Sequence, residues 1–270
     1  IEYYQNIREM EEHFDEKKEE IISGLKALSE LLFRKGNVMI SYTASREGLA
    51  VLEEEIGSLK EALHPERTPE SRCILHCEKK NEGFKTSSKV QFAAKAGNFI
   101  DAGEEYNGAL QILKVIMSYE YLWINIRVKG GAYGCMSNFN RIGEGYFVSY
   151  RDPNLGRTLE IYDGVPEYLE NFTVSERDMT KYIIGTISEM DTPLTPISRG
   201  RRSLICYLGH ITDEELQKER DAVLSGTAED IRALAPLVQA VLEEQDLCVI
   251  GNEETLRAEK EMFMELKNLY

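Results

Sequence analysis

The period of the hydrophobic pattern changes repeatedly along this 270-residue chain, and those changes most limit what it can fold into. Val38, Ile40 and Tyr42 alternate with Met39, Ser41 and Thr43. Val90, Phe92, Ala94 and Ala96 alternate with Gln91, Ala93 and Lys95. A period of two puts alternate side chains on opposite faces of a strand. Met136–Asn140 and Tyr146–Arg151 flank Gly143-Glu144-Gly145 as the arms of a hairpin do, and Leu247–Ile250 is a short buried-strand run. Between these lie helical spacings of three and four: Leu49, Leu52, Ile56, Leu59 and Leu63 in 46–63; Leu110, Leu113, Ile116, Met117 and Tyr121 in 104–122; and Met179, Tyr182, Ile183, Ile187 and Met190 behind Ser175, a helix cap. Thr212 with Glu215 and Thr227 with Asp230 read as capping boxes, Pro236 is expected to kink or divide the next helix, and a last helix is expected from Glu253. His64 to Ser88 is a polar connection with Pro65 and Pro69, and a short strand is predicted at Cys73–Cys77. In residues 1–36 the stripe Ile7, Met10, Phe14, Ile21, Leu25, Leu28 and Leu32 predicts one long helix, closed by Gly36-Asn37.

This order of elements predicts an α+β fold: a largely antiparallel sheet covered on one face by helices, with a long N-terminal helix. Residues 1–36 are expected to be a helical linker from a preceding domain, and 37–270 one domain. The chain opens on Ile1 rather than Met and reads as a piece of a longer polypeptide. Trp123, the one tryptophan, is expected in the core. Ile124, Ile126 and Val128 alternate with Asn125, Arg127 and Lys129, which predicts an extended segment with Arg127 off its core face.

Charge and cysteine narrow the function. A formal net charge of −15 argues against nucleic acid, which needs a basic footprint, and an acidic cavity would attract cationic peptides. The apolar runs are too short to cross a membrane, so no membrane partner is expected. Cys73, Cys77, Cys135, Cys206 and Cys248 are odd in number and contain no C-x-x-C pair, which fits reduced thiols and a cytoplasmic setting. Cys73, His76 and Cys77 lie close in sequence but lack a fourth zinc ligand. The histidines His13, His64, His76 and His210 fall in neither H-E-x-x-H nor its inverse. No phosphate-binding loop and no nucleophile elbow is present.

The chemistry concentrates in Arg127-Val128-Lys129-Gly130-Gly131-Ala132-Tyr133-Gly134. A guanidinium fork and a phenol stand six positions apart across two glycines, which let the backbone turn sharply and approach another chain. Together they could grip and polarise a peptide carbonyl.

This string, with Tyr121-Leu122-Trp123 before it and Ser149-Tyr150-Arg151-Asp152-Pro153-Asn154-Leu155, Thr158-Leu159, Ile183-Ile184-Gly185-Thr186-Ile187 and Asp191-Thr192-Pro193 after it, resembles the C-terminal domain of presequence-protease-like members of the pitrilysin/insulinase family of zinc metallopeptidases. The resemblance implies the non-zinc-binding half of a zinc metalloendopeptidase that degrades unstructured peptides in a closed chamber. It implies no cofactor in this chain, zinc in an N-terminal half of the same polypeptide, and inactivity of this chain alone. By the motif, Arg127 and Tyr133 are the catalytic residues that stabilise the transition state. Arg127, Gly130, Gly131, Ala132 and Tyr133 form the substrate-binding stretch, with no metal ligands. The partners implied are the peptide substrate and the N-terminal half. An alternative is a non-catalytic peptide-binding subunit of the same fold, and a third reading is an adaptor with a coiled-coil arm.

Overall fold

A computed structural model describes residues 1–65 and 78–269. The strand predicted at Cys73–Cys77 lies outside them. The described residues fall into two compact units, 1–65 with 193–210, and 78–192 with 211–269.

The first unit is helical. The N-terminal stripe folds as α1 (Glu2–Glu12) and the longer α2 (Phe14–Leu32). The single helix predicted there is interrupted at His13, whose ring nitrogen lies 3.2 Å from the Glu9 carbonyl oxygen; a Lys17–Glu9 ion pair at 2.5 Å spans the break. α3 (Arg46–Ala62) follows, capped by Ser45. The strand expected over 38–43 does not form. Its alternation has no neighbouring strand to pair with, and Val38, Met39 and Ile40 stay exposed in extended backbone. α8 (Pro196–Leu208), capped by Thr195, completes the unit.

The second unit is built on a six-stranded sheet of β1 (Glu82–Thr86), β2 (Gln91–Asn98), β3 (Gly134–Phe139), β4 (Glu144–Asp152), β5 (Asp246–Asn252) and β6 (Glu265–Asn268), in the order β3-β4-β2-β5-β1-β6. The pairs β3/β4, β4/β2 and β2/β5 are antiparallel, and β1 is parallel to both β5 and β6. The sheet is therefore largely antiparallel, as predicted. β1 and β6 were not predicted, because Glu-Gly-Phe-Lys-Thr has little intrinsic strand preference and holds its place by pairing.

Helices cover one face. α4 (Ala109–Tyr119) packs on β3 and α11 (Ala235–Glu243) on β2. Ile112, Leu113, Ile116, Val238 and Val241 meet Ala93, Phe147 and Val249 in the core. Around them run α5 (Gly156–Asp163), α6 (Val165–Glu170), α7 (Glu176–Met190), α9 (Asp213–Leu224), α10 (Ala228–Arg232) and α12 (Glu253–Ala258). Both predicted capping boxes are present, and the helical stretch is divided between α10 and α11, with Pro236 in the first turn of α11. On the opposite face Phe92, Met136 and Tyr150 are exposed. No helix among the described residues is long and apolar enough to cross a membrane.

Candidate functional site

After α4 the chain does not extend as predicted. Residues Trp123–Val128 form a widened helical turn, in which the Lys129 N–H donates to the Ile124 carbonyl, five residues back, at 2.9 Å. Such π-turns accommodate an extra residue and are frequent at functional sites. The turn buries Ile126 completely and leaves Arg127 half-exposed on the other side. It also places Trp123 and Arg127, four residues apart, on one side: the guanidinium carbon stands 4.0 Å from the Trp123 ring centroid. Trp123 is thus a half-buried platform for a cation rather than the core residue predicted.

The chain then reverses. The Gly131 N–H donates to the Arg127 carbonyl at 2.9 Å and the Ala132 N–H to the Ile126 carbonyl at 3.1 Å. Gly131 has φ +82°, a left-handed conformation natural to glycine. A methyl group at Gly130 would run into the Ile126 carbonyl oxygen and lie 3.0 Å from that of Asn125. Only glycine fits so close an approach.

Tyr133 is held from both sides. Arg127 Nε donates to its carbonyl oxygen at 2.9 Å, and its own N–H donates to the carbonyls of Tyr150 at 3.1 Å and Arg151 at 3.4 Å. Its side chain is 66% exposed. The ring meets Tyr150 edge-on at 5.5 Å, and Tyr150 meets Phe92 in the same manner at 5.2 Å. Beside them β4 carries a bulge: three steps from Ser149 to Asp152 oppose two from Gln91 to Ala93, and Arg151 takes φ +49°. Bulges of this kind re-aim side chains beside active sites. Among the described residues no acceptor takes the two terminal nitrogens of Arg127.

The predicted residues Arg127, Gly130, Gly131 and Tyr133 therefore come together in one turn. Ala132 is 4% exposed and belongs to the core, so only its backbone is available to a ligand. Cys135 is half-buried. Burial pushes its thiol up to about 11 and the Asp152 carboxylate adds to this, while Arg127 pulls the other way.

Two residues of the site were not singled out from sequence. Asp152 is wholly buried and accepts from the Asn154 N–H at 2.9 Å and Thr158 Oγ1 at 2.7 Å. Asn154 Nδ2 donates to the Gly130 carbonyl at 2.7 Å. An Asp that bonds the backbone two residues on forms an Asx turn, and Asp-Pro-Asn is a composition in which such a turn can be sought.

Among the described residues no three His, Cys, Asp or Glu side chains lie close enough together to hold a metal ion. The donor set does not fit a zinc site. Cys135, Cys206 and Cys248 are free thiols.

Residues 81–253 match the family model for the PreP C-terminal domain. The chain belongs to the PreP C-terminal domain family. Protein HypA of Clostridium perfringens is 40% identical over 269 residues, covering 100% of this chain and 27% of that protein. Presequence protease 1, chloroplastic/mitochondrial, of Arabidopsis thaliana is 31% identical over 277 residues, covering 99% of this chain and 25% of that protein. The chain thus spans about a quarter of the length of these relatives. Pitrilysin, in its crystal structure, shares the fold with a TM-score of 0.53 at 11% identity, over 77% of this chain and 23% of that one. The resemblance read from residues 121–193 and the α+β class are both borne out. The family match takes in the whole turn from Trp123 to Tyr133 and the Asp152–Asn154 segment.

Proposed function

We propose that this PreP C-terminal domain is the non-zinc-binding half of a zinc metalloendopeptidase that degrades unstructured peptides in a closed chamber. The observation that carries the reading is the joint anchoring of Arg127 and Tyr133. One guanidinium nitrogen fixes the Tyr133 carbonyl, the Trp123 ring supports its plane, and β4 holds the Tyr133 amide. The phenol and the remaining guanidinium donors are left facing outward with little freedom to lose. A scissile carbonyl oxygen gains negative charge when a nucleophile adds to it. The Tyr133 hydroxyl would donate to that oxygen, and Arg127 would bind a neighbouring peptide carbonyl. Preorganised donors aimed at developing charge are among the strongest contributors to catalysis. The edge of β3 beside them would accept the peptide as an added strand.

Zinc and the activated water it supplies would belong to an N-terminal half of the same polypeptide, with which this domain would pair to enclose the substrate. The chain alone would be inactive. The free thiols are consistent with the cytoplasmic setting expected from the sequence, although the Arabidopsis relative carries an organellar name.

Peptide hydrolysis by the full-length protein carrying Tyr133→Phe tests this. Loss of one such donor is expected to lower turnover ~100–1000-fold. Unchanged turnover would remove Tyr133 from the chemistry and favour a purely peptide-holding role.

A further inference from the structure

The peptide plane between Gly130 and Gly131 is fixed at both ends. Its N–H, on Gly131, donates to the Arg127 carbonyl at 2.9 Å, and its C=O, on Gly130, accepts from Asn154 Nδ2 at 2.7 Å. A plane flanked by two glycines has almost no steric barrier to turning over, because neither residue has a Cβ to resist the change in φ and ψ. Turning it over would carry the Gly130 oxygen away from Asn154, break the Gly131 bond to Arg127, and change the path of the chain between Arg127 and Tyr133.

Asn154 is itself held. Its backbone N–H donates to Asp152 Oδ1 at 2.9 Å, with its side-chain amide 3.4 Å from the same oxygen. The other Asp152 oxygen accepts from Thr158 at the start of α5, at 2.7 Å. Asp152 is 0% exposed, and the partners that meet its two oxygens among the described residues are Asn154 and Thr158, neither of them charged. Burying a carboxylate without a countercharge is costly unless hydrogen bonds replace its water. Here the bonds that replace it end at the turn bearing the candidate catalytic pair.

We propose that Asn154, seated on buried Asp152, is a positioning residue that locks the Gly130–Gly131 peptide plane and so sets the geometry of Arg127 relative to Tyr133. The inference rests on the peptidase reading for its catalytic consequence, but not for its structural one.

Two readouts on the full-length protein with Asn154→Ala separate these. Amide hydrogen exchange across residues 127–134 is expected to quicken about tenfold or more, since one of the two bonds holding the plane is gone. Peptide turnover is expected to fall about tenfold in kcat with KM changed less than about twofold, and in a Tyr133→Phe background Asn154→Ala should add less than about twofold. Unchanged exchange overturns the proposal. So does an equal kcat loss in both backgrounds, or an effect on KM alone. If Tyr133→Phe itself leaves turnover unchanged, the peptidase role of Tyr133 fails, and the exchange result alone then decides the function of Asn154. Should Asn154→Ala fail to fold, Asn154→Asp carries the same readouts: it keeps the Asx turn but presents an acceptor to the Gly130 carbonyl.

Discussion

Gly130→Ala is the sharpest structural test of the turn. The added methyl would meet three backbone atoms: the carbonyl oxygen of Ile126, its carbon at 3.0 Å and the oxygen of Asn125 at 3.0 Å. None can rotate aside as a side chain would. Forcing extra volume into a packed site costs ~1–3 kcal/mol, and rigid neighbours put this case near the top of the range. Relief must come from moving the segment, which weakens the Ala132 N–H bond to the Ile126 carbonyl, now 3.1 Å, at a further ~0.5–1 kcal/mol. The total is about 3 kcal/mol. For a unit of this size each kcal/mol lowers Tm by ~2–4 °C, so the expected drop is ~6–12 °C. Gly131→Ala is the control. Its nearest neighbour would be Pro153 at 3.6 Å, and only the left-handed φ of +82° opposes it. That costs ~1–2 kcal/mol. Thermal unfolding followed by circular dichroism should rank the two, with Gly130→Ala clearly the lower. A Gly130→Ala melt within ~2 °C of the parent, or a more damaging Gly131→Ala, would refute the close-approach argument.

Arg127→Lys keeps the charge but loses both the Nε bond and the guanidinium carbon seated over the Trp123 ring, so peptide turnover should fall at least about tenfold; a neutral outcome would show that charge alone suffices. Cys135 should resist iodoacetamide until the pH approaches about 11, and the inflection should rise further with Arg127→Met; labelling that turns on at the ordinary thiol value would contradict the burial described. The sign for stability follows. A thiol raised in the folded state ionises first in the unfolded chain, so the stabilisation is whole below the ordinary thiol value and declines as pH climbs towards about 11. Thr212→Ala removes the Oγ1 acceptor of the Glu215 N–H at 3.2 Å and should lower stability in urea by ~1 kcal/mol, whereas an unchanged midpoint would mean that the cap contributes nothing to global unfolding.

Most of the sheet unit was legible because its burial is one-sided. The alternation located β2, and α7 keeps a clean apolar stripe, but in β2 the face that meets the helices is Gln91, Ala93 and Lys95 while Phe92 is exposed, so the period placed the strand and not its inward face. The segment 123–128 misled for a physical reason. Ile124, Ile126 and Val128 mimic a period of two, and a π-turn has no sequence period of its own over six residues. The same spacing concealed that Trp123 and Arg127 share one side. β1 was hidden because partners distant in sequence hold it, and the expected strand over 38–43 failed for want of such partners. Of the candidate site, Arg127, the glycines and Tyr133 could be named from chemistry alone. Asn154 could not, because its role depends on a carbonyl 24 residues away.

The helical unit is assembled out of chain order. Gly200 of α8 lies against Thr43, yet α8 starts 134 residues after α3 ends (196 − 62), with most of the sheet unit in between. At ribosomal speeds of ~5–20 residues per second, the first three helices wait roughly 7–27 s for their fourth member. The four helices can therefore come together only after residue 208 has emerged, by which point β1 to β4 have already been synthesised.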